Sequence, residues 1–420
     1  MFKTEADVIN WLYTFSPSKN GRTLDHLHTT LAALDNPHRK IKTIHIAGTN
    51  GKGSTVAYLR EALMKSGYKV ATFTSPYIIS FGERMSINNV PISETDLVKY
   101  ANLLKKQLPE NTDEYASFDL ITLISFLYFA SAVVDVVVYE TGIGGRLDST
   151  NVITPLACAI TNVGHDHADV LGETQLERLN EKLGIAKKGV PLFTTEEDPV
   201  LLDVVRHTCQ TKEVKPIFPL EVSNLLSIGL DGTKFSYKSD VMEINMHGAH
   251  QFKNAVLAVA ILDYLTGVTG FENVDPKKVK NAVWQGRFEH MSHAPPVVLD
   301  GAHNLEGIKA LIDALEKIYP KHRKKIMFSA IATKDAKKMV LILSEVAQKL
   351  VFTKGTHPES IDPETLVTYL ANVPYHIYHD YEKAIDLEMN QLEVDEILVV
   401  CGSLYFISDA RSYLRKSISN

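Results

Sequence analysis

Residues 43–55 read Thr-Ile-His-Ile-Ala-Gly-Thr-Asn-Gly-Lys-Gly-Ser-Thr. An apolar, β-leaning run from Thr43 to Ala47 meets a glycine-rich turn. A helical pattern follows, with Val56, Leu59, Leu63 and Met64 on one face. Strand, glycine loop, helix is the geometry that aims backbone N–H groups at a phosphate chain. In that setting Lys52 can lie along the phosphate oxygens, and Ser54 or Thr55 can reach Mg²⁺. The common P-loop pattern is met only in part. Ile46 stands where that pattern has glycine, and Gly53 where it has Ser or Thr. A glycine turn that merely caps a helix is the plainer alternative for this stretch alone.

Working outward, 420 residues exceed one ordinary core, so two or three domains are expected. Hydrophobic content of 45% with 22% charged residues describes a soluble globular chain. A net charge of −6 offers no basic stripe for nucleic acid. No apolar run is long enough for a membrane span, and the charged start from Met1 to Asp7 lacks a secretory apolar core. Cys158, Cys209 and Cys401 lack metal spacing and fit buried thiols in a reducing cytoplasm. No nucleic-acid or membrane partner is expected, and a monomer is.

Strand-like and helical runs alternate through most of the chain. After the glycine loop come Val70 to Thr74, a helix around Leu97 to Leu108, and an apolar helix from Ile121 to Ala132. Val133 to Tyr139 is almost wholly apolar and β-branched, as in a central parallel strand. Leu156 to Thr161 and Val190 to Thr195 are further strands. This βαβ rhythm predicts an α/β fold with a mostly parallel sheet covered by helices. Residues 214–247 read as a small antiparallel insertion, and His250 to Leu265 as a closing helix. Pro295-Pro296 reads as a hinge. Strands at Val297 to Asp300, Ile326 to Ile331, Leu350 to Thr353 and Ile397 to Cys401 then restart the rhythm. The expected division is 1–294 and a smaller Rossmann-like domain, 295–420.

Ligands of open α/β sheets gather at the carboxyl ends of strands. Val70 to Thr74 runs into Ser75, Val133 to Tyr139 into Glu140-Thr141-Gly142-Ile143-Gly144-Gly145-Arg146, and Leu156 to Thr161 into Asn162 through His167. With these strands beside the loop strand, Ser75, Glu140 and His167 converge near the phosphates and can hold a divalent ion. Taken singly, Ser75 can cap a turn, Glu140 can pair with Arg146, and His167 can be a surface histidine. The glycines at 142–145 lack dinucleotide spacing and an acidic ribose ligand. By pattern, Lys182 is a solvated charge. Asp300-Gly301-Ala302-His303-Asn304 ends a strand in a ligand-binding position, or caps the next helix through Asn304 or Asp300.

These stretches resemble the Mur-ligase superfamily and, within it, the folylpolyglutamate synthase and dihydrofolate synthase family. The resemblance rests on the Gly48–Ser54 loop, Thr74-Ser75-Pro76, Phe81-Gly82-Glu83-Arg84, Glu140 through Asn151, Asn162 through Gly172, Glu181 through Lys187, Gly286-Arg287-Phe288-Glu289, Asp300 through Asn304 and Cys401 through Tyr405. It implies an ATP-dependent amide ligase in which a pterin-bearing carboxylate is phosphorylated and the acyl phosphate is attacked by L-glutamate. It assigns Asn50, Gly51, Lys52, Gly53, Ser54, Thr55, Asn254, Arg287, Asp300 and His303 to ATP. Ser75, Glu140 and His167 become Mg²⁺ ligands, and Lys182 a lysine that is carbamylated. Lys52, Lys182 and His303 are the implied catalytic residues. Ser117, Phe118, Asp119, Leu147, Asp148 and Ser149 match pterin-contacting positions.

Three residues depart from the family pattern: Asp119 for a common Glu, Ser86 for a frequent arginine, and Leu183 for a common alanine. The acceptor is folate, dihydropteroate or both. A peptidoglycan Mur ligase fits less well, because it carries a further domain ahead of the loop. An ATP-hydrolysing switch without ligation and a nicotinamide dehydrogenase are the alternatives from other classes.

Overall fold

The computed structural model describes residues 1–16, 23–332, 334–370 and 372–418. The chain forms two compact units. One comprises Met1–Asn224, Ser236–Met242 and Lys253–Ala282. The other comprises Leu225–Phe235, Glu243–Phe252 and Val283–Asn420.

The first unit is built on eight strands: β1 (Thr43–Ala47), β2 (Val70–Phe73), β3 (Met85–Ile87), β4 (Val90–Pro91), β5 (Val136–Glu140), β6 (Ala157–Ile160), β7 (Leu192–Thr194) and β8 (Pro216–Ile217). Their order is β4-β3-β2-β5-β1-β6-β7-β8. All pair in parallel except β3 and β4, which turn back along β2. The β1, β5 and β6 residues are buried throughout, as central strands covered on both faces must be. One face packs Leu123, Phe126 and Phe129 of helix Ser117–Ser131 against Phe73 and Tyr139. The other packs Leu179, Leu201 and Val205 against Cys158, Ile160 and Leu192.

The strand expected at Val133 starts three residues later. Val133 is exposed with φ of 49°, in the turn after the preceding helix, and Asp135 N–H bonds Lys69 O. The expected insertion is a three-stranded sheet of β9 (Ser223–Gly229), β10 (Gly232–Tyr237) and β11 (Asp240–Ile244). Its two-residue connections require antiparallel pairing.

In the second unit, β12 (Glu289–His293), β13 (Pro296–Leu299), β14 (Arg323–Phe328), β15 (Lys349–Thr353), β16 (Tyr375–Tyr378) and β17 (Glu396–Cys401) form a sheet in the order β12-β13-β17-β14-β15-β16. Only β12 runs antiparallel. This corrects the hinge expected at Pro295-Pro296. His293 pairs with Pro296, so the prolines lie in a β-hairpin inside the second unit. The chain therefore passes between units at several points, not once at 294/295. Among the described residues no helix is long and apolar enough to cross a membrane.

Candidate active site

The glycine loop leaves β1 at Ala47 and enters helix Lys52–Lys65 through Gly51. Gly51 has φ of 84°, and a Cβ there would lie 2.1 Å from Asn254 Oδ1. Only glycine meets both demands. Asn254, buried on helix Ala249–Leu265, is thereby packed on the loop. Lys52 folds back, its Nζ donating to Gly48 O at 2.9 Å and Thr49 O at 3.1 Å. The two hydroxyls that follow are not equivalent. Thr55 Oγ1 donates to Gly51 O at 3.0 Å, inside the helix. Ser54 sits one residue nearer the helix N-terminus, where backbone N–H groups lack intrahelical partners.

Sheet register assembles what surrounds this loop. Ile46 of β1 pairs with Glu140, which is buried at the end of β5. β5 also pairs with β2, Phe73 opposite Tyr139, so Thr74-Ser75 leaves the sheet beside Glu140. Ser75 is thus one strand further from the loop than its sequence pattern suggested. The turn after Ser75-Pro76 is held by Glu83, whose carboxylate accepts from the N–H groups of Ile78, Ile79 and Ser80. His167 lies seven residues past the end of β6 and is exposed, with φ of 52°, at the start of helix Ala168–Leu171. Its Nε2 is 3.9 Å from Asp166 Oδ1. The 164–173 loop is organised by buried Arg178, which donates to the carbonyls of Gly164, Gly172 and Glu173 at 2.9 Å each.

Lys182 is not the solvated charge its pattern indicated. It is 1% exposed, at the last turn of helix Gln175–Lys182. Burial, then the nearby Lys52 cation, push its ammonium down to about 7, while Asp166 pulls the other way. A buried ammonium is costly and sheds its proton. Near pH 7 Lys182 is thus shared between its amine and ammonium forms.

The six expected pterin contacts separate into two groups. Asp148 is buried and spends its carboxylate on the N–H groups of Gly142 (2.8 Å), Ile143 (3.1 Å) and Thr150 (3.0 Å). Burial raises its pKa against those bonds. Asp119 is fully buried, accepting from Ser149 Oγ, from Ala116 N and from His26 Nε2. Ser117 Oγ donates to Phe15 O. Asp119, Asp148 and Ser149 thus face inward and hold the loops, while Phe118 and Leu147 remain half-buried. Phe118 packs on Phe73, and a Cβ on Gly142 would lie 2.8 Å from its ring.

In the second unit, Asp300 is buried after β13. It accepts from Phe288 N and Ala302 N at 2.8 Å each. Burial raises its pKa, and Arg287 opposes that rise. His303 Nδ1 donates to Gly301 O at 2.7 Å, which makes Nε2 the acceptor nitrogen of the neutral ring. Asn304 caps helix Leu305–Ile318 through Gly307 N, as the plainer reading held. Glu289 ties the Gly286–Arg287 turn to the last helix, accepting from Gly286 N, Arg411 and Arg415. The residues that sequence reasoning missed are the holders Glu83, Arg178 and Glu289. Glu83 and Glu289 stand one and three residues past a glycine, Arg178 carries no such mark, and buried partners cannot be read from spacing.

Residues 46–262 match the Mur ligase middle domain, and residues 286–404 the Mur ligase glutamate ligase domain. The chain is 34% identical to the dihydrofolate synthase/folylpolyglutamate synthase of Bacillus subtilis, over 99% of this chain and 100% of that protein. It is 32% identical to the folylpolyglutamate synthase of Lacticaseibacillus casei, over 97% and 98%. Among solved structures, the Thermotoga maritima folylpolyglutamate synthase superposes with a TM-score of 0.85 at 29% identity, covering 98% of this chain and 97% of that one. The Mycobacterium tuberculosis folylpolyglutamate synthase, solved with ADP and AMPPCP, superposes at 0.87 and 26%, covering 97% and 98%.

The close approach at Gly51 yields a direct test. Gly51→Ala forces a side chain into the Asn254 amide and a strained φ, at a combined cost of about 1–3 kcal/mol. Calorimetric titration with ADP is expected to give a Kd raised roughly tenfold or more, with an unchanged circular-dichroism spectrum.

Proposed function

We propose, for a chain that belongs to the Mur ligase family and within it to the dihydrofolate synthase/folylpolyglutamate synthase group, that it joins L-glutamate to a folate carboxylate with cleavage of ATP. The observation that carries this is the end-to-end likeness to ligases of that type, which covers both units. An oxygen of the acceptor carboxylate attacks the γ-phosphorus, the bond to the β-phosphate oxygen breaks, and ADP leaves. The glutamate amine then attacks the acyl carbon, its bond to the phosphate oxygen breaks, the amine gives up a proton, and inorganic phosphate leaves. Such transfers need positioning and charge neutralisation more than covalent help from the protein.

Within that reaction we assign Lys52 to the phosphate oxygens, for which it exchanges its two loop carbonyls. The N–H groups of Gly51, Lys52, Gly53 and Ser54, with Asn50 and Thr55 shaping the turn, cradle the same phosphates. Asn254, Arg287, Asp300 and His303 are carried forward as nucleotide contacts. For Mg²⁺ the donor chemistry fits at Glu140 and Ser75. A buried carboxylate and a hydroxyl at neighbouring strand ends are hard oxygens, suited to an ion that also binds phosphates and water. His167 supplies a nitrogen, the less apt donor of the three. When bound, the ion neutralises developing charge on the transferred phosphoryl group. Phe118 and Leu147 are assigned to the pterin ring, with Ser117, Asp119, Asp148 and Ser149 shaping their loops. Dihydrofolate synthase activity is a second reading, favoured because the Bacillus subtilis relative carries both names. We take the working unit to be a monomer in a reducing cytoplasm, which accords with the three buried free cysteines.

Phosphate release with ATP and L-glutamate, plus either tetrahydrofolate or dihydropteroate, tests the reading. Release with ATP alone, unaffected by either acceptor, would favour the non-ligating switch. Lys52→Ala is expected to abolish turnover with the fold intact, and near-normal activity would contradict its role. His303→Ala is expected to lower kcat by about tenfold or more, and unchanged kinetics would remove it from the reaction.

Carbamylation of Lys182 carries its own pH signature. Only the neutral amine adds CO₂, and its pKa is depressed to about 7. Activity in bicarbonate-free buffer is therefore expected to fall and to recover on adding bicarbonate. Recovery should be effective above pH 7 and fade below it, as the ammonium forms. Against the ordinary value of 10.5 in the unfolded chain, the same depression costs stability progressively as pH falls from about 10.5 to about 7, below which the loss is complete.

A further inference from the structure

The peptide just before Gly51 and Lys52 is gripped from the neighbouring strand. Beyond the last paired residues of β1 and β6, Thr161 N donates to Ala47 O at 3.0 Å and Thr49 N donates to Asn162 O at 3.1 Å. The side chain of Asn162 then continues the ladder. Its Oδ1 accepts from Asn50 N at 3.0 Å, and its Nδ2 donates to Asn50 O at 3.0 Å. The amide acts as a substitute peptide unit, and its orientation is fixed because Asn50 offers one donor and one acceptor. Thr161 Oγ1 adds a second donor to Asn50 O at 2.6 Å. The approach is so close that a Cβ on Gly48 would lie 1.8 Å from Thr161 Oγ1.

The grip is itself anchored. Thr195 Oγ1 donates to Thr161 O at 2.9 Å, and Val163 N donates to Glu196 Oε2 at 2.9 Å. On the loop side, Gly164 N donates to Thr49 Oγ1 at 2.9 Å. The orientation of Asn50 sets where the following N–H groups point, because Gly51 is the last free pivot before the helix fixes them.

We propose that Asn162 is a positioning residue for nucleotide binding, holding the glycine loop in its phosphate-accepting shape through both hydrogen bonds to Asn50. This rests on the assignment of residues 48–55 to the ATP phosphates. No polar atom of Asn162 need touch the nucleotide. Its effect belongs to ATP and ADP, and not to L-glutamate or the acceptor.

Asn162→Ala and Asn162→Asp, beside Lys52→Ala, test it through KM for each substrate, ADP affinity by calorimetry and thermal midpoint. Two neutral hydrogen bonds are worth about 0.5–1.5 kcal/mol each, so Asn162→Ala is expected to raise ATP KM and ADP Kd roughly tenfold. KM for L-glutamate and acceptor should stay within about twofold. Asn162→Asp keeps its size and the bond from Asn50 N but sets a carboxylate against Asn50 O. It is expected to bind ADP no better than the alanine variant, and it carries the comparison should the alanine protein be recovered unfolded.

ATP KM and ADP Kd within about twofold of the parent, or an equal rise in all three KM values, would overturn the proposal. An inactive Lys52→Ala beside an unchanged Asn162→Ala removes only the Asn162 inference. A fully active Lys52→Ala removes the phosphate-loop assignment beneath it.

Discussion

The parallel pairing of β1 with β5 on one side and β6 on the other is the constraint on which the first unit's chemistry depends. Register sets Glu140 opposite Ile46 and Ile160 opposite Ala47. The glycine loop therefore leaves the sheet between a carboxylate on one strand end and the amide-bearing turn of Asn162 on the other. A one-residue slip of β5 would turn Glu140 to the opposite face, and one of β6 would break the hold of Asn162 on Asn50. Such a slip is resisted by the wholly apolar interiors of these strands, which must stay between two helical layers.

Around that loop, two cations hydrogen-bond to backbone carbonyls. Lys52 rests on two backbone carbonyls, and Arg178 on three. Lys182, buried close by, has its ammonium pushed down to about 7 by burial first and by the Lys52 cation second. Carbonyl dipoles satisfy donors without cancelling net charge. The buried Glu140 sits at the adjoining strand end, where the proposed Mg²⁺ would be held.

Much of this was legible in the sequence because parallel strands and glycine loops are written locally. The β1-loop-helix unit, the β-branched β5 strand and the two βαβ series follow from periodicity and turn residues. What was not legible depends on long-range partners. Lys182 has the spacing of an exposed helix residue, and nothing nearby in sequence says that the fold buries it. The hairpin joining β12 to β13 was taken for a hinge because two prolines mark a turn without saying which strands flank it. β16, a short half-exposed edge strand, lacks the apolar run that marked its neighbours. Asp119 and Asp148 carry the residue type of ligand-facing groups, yet their carboxylates are consumed within the fold.

That last pair changes how the Asp119 departure acts. A shorter side chain at a position pointing to solvent would trim a ligand contact. Here Asp119 joins Ser149 to the start of helix Ser117–Ser131 and receives His26 from a third segment. Ser149 is bracketed by Asp148, which holds the 142–143 turn, and Thr150, which accepts from His45 on β1 at 2.8 Å. The aspartate at 119 therefore spends its carboxylate on joining these segments. Asp119 and Asp148 thus hold the segments that carry Phe118 and Leu147, the side chains proposed above to meet the pterin.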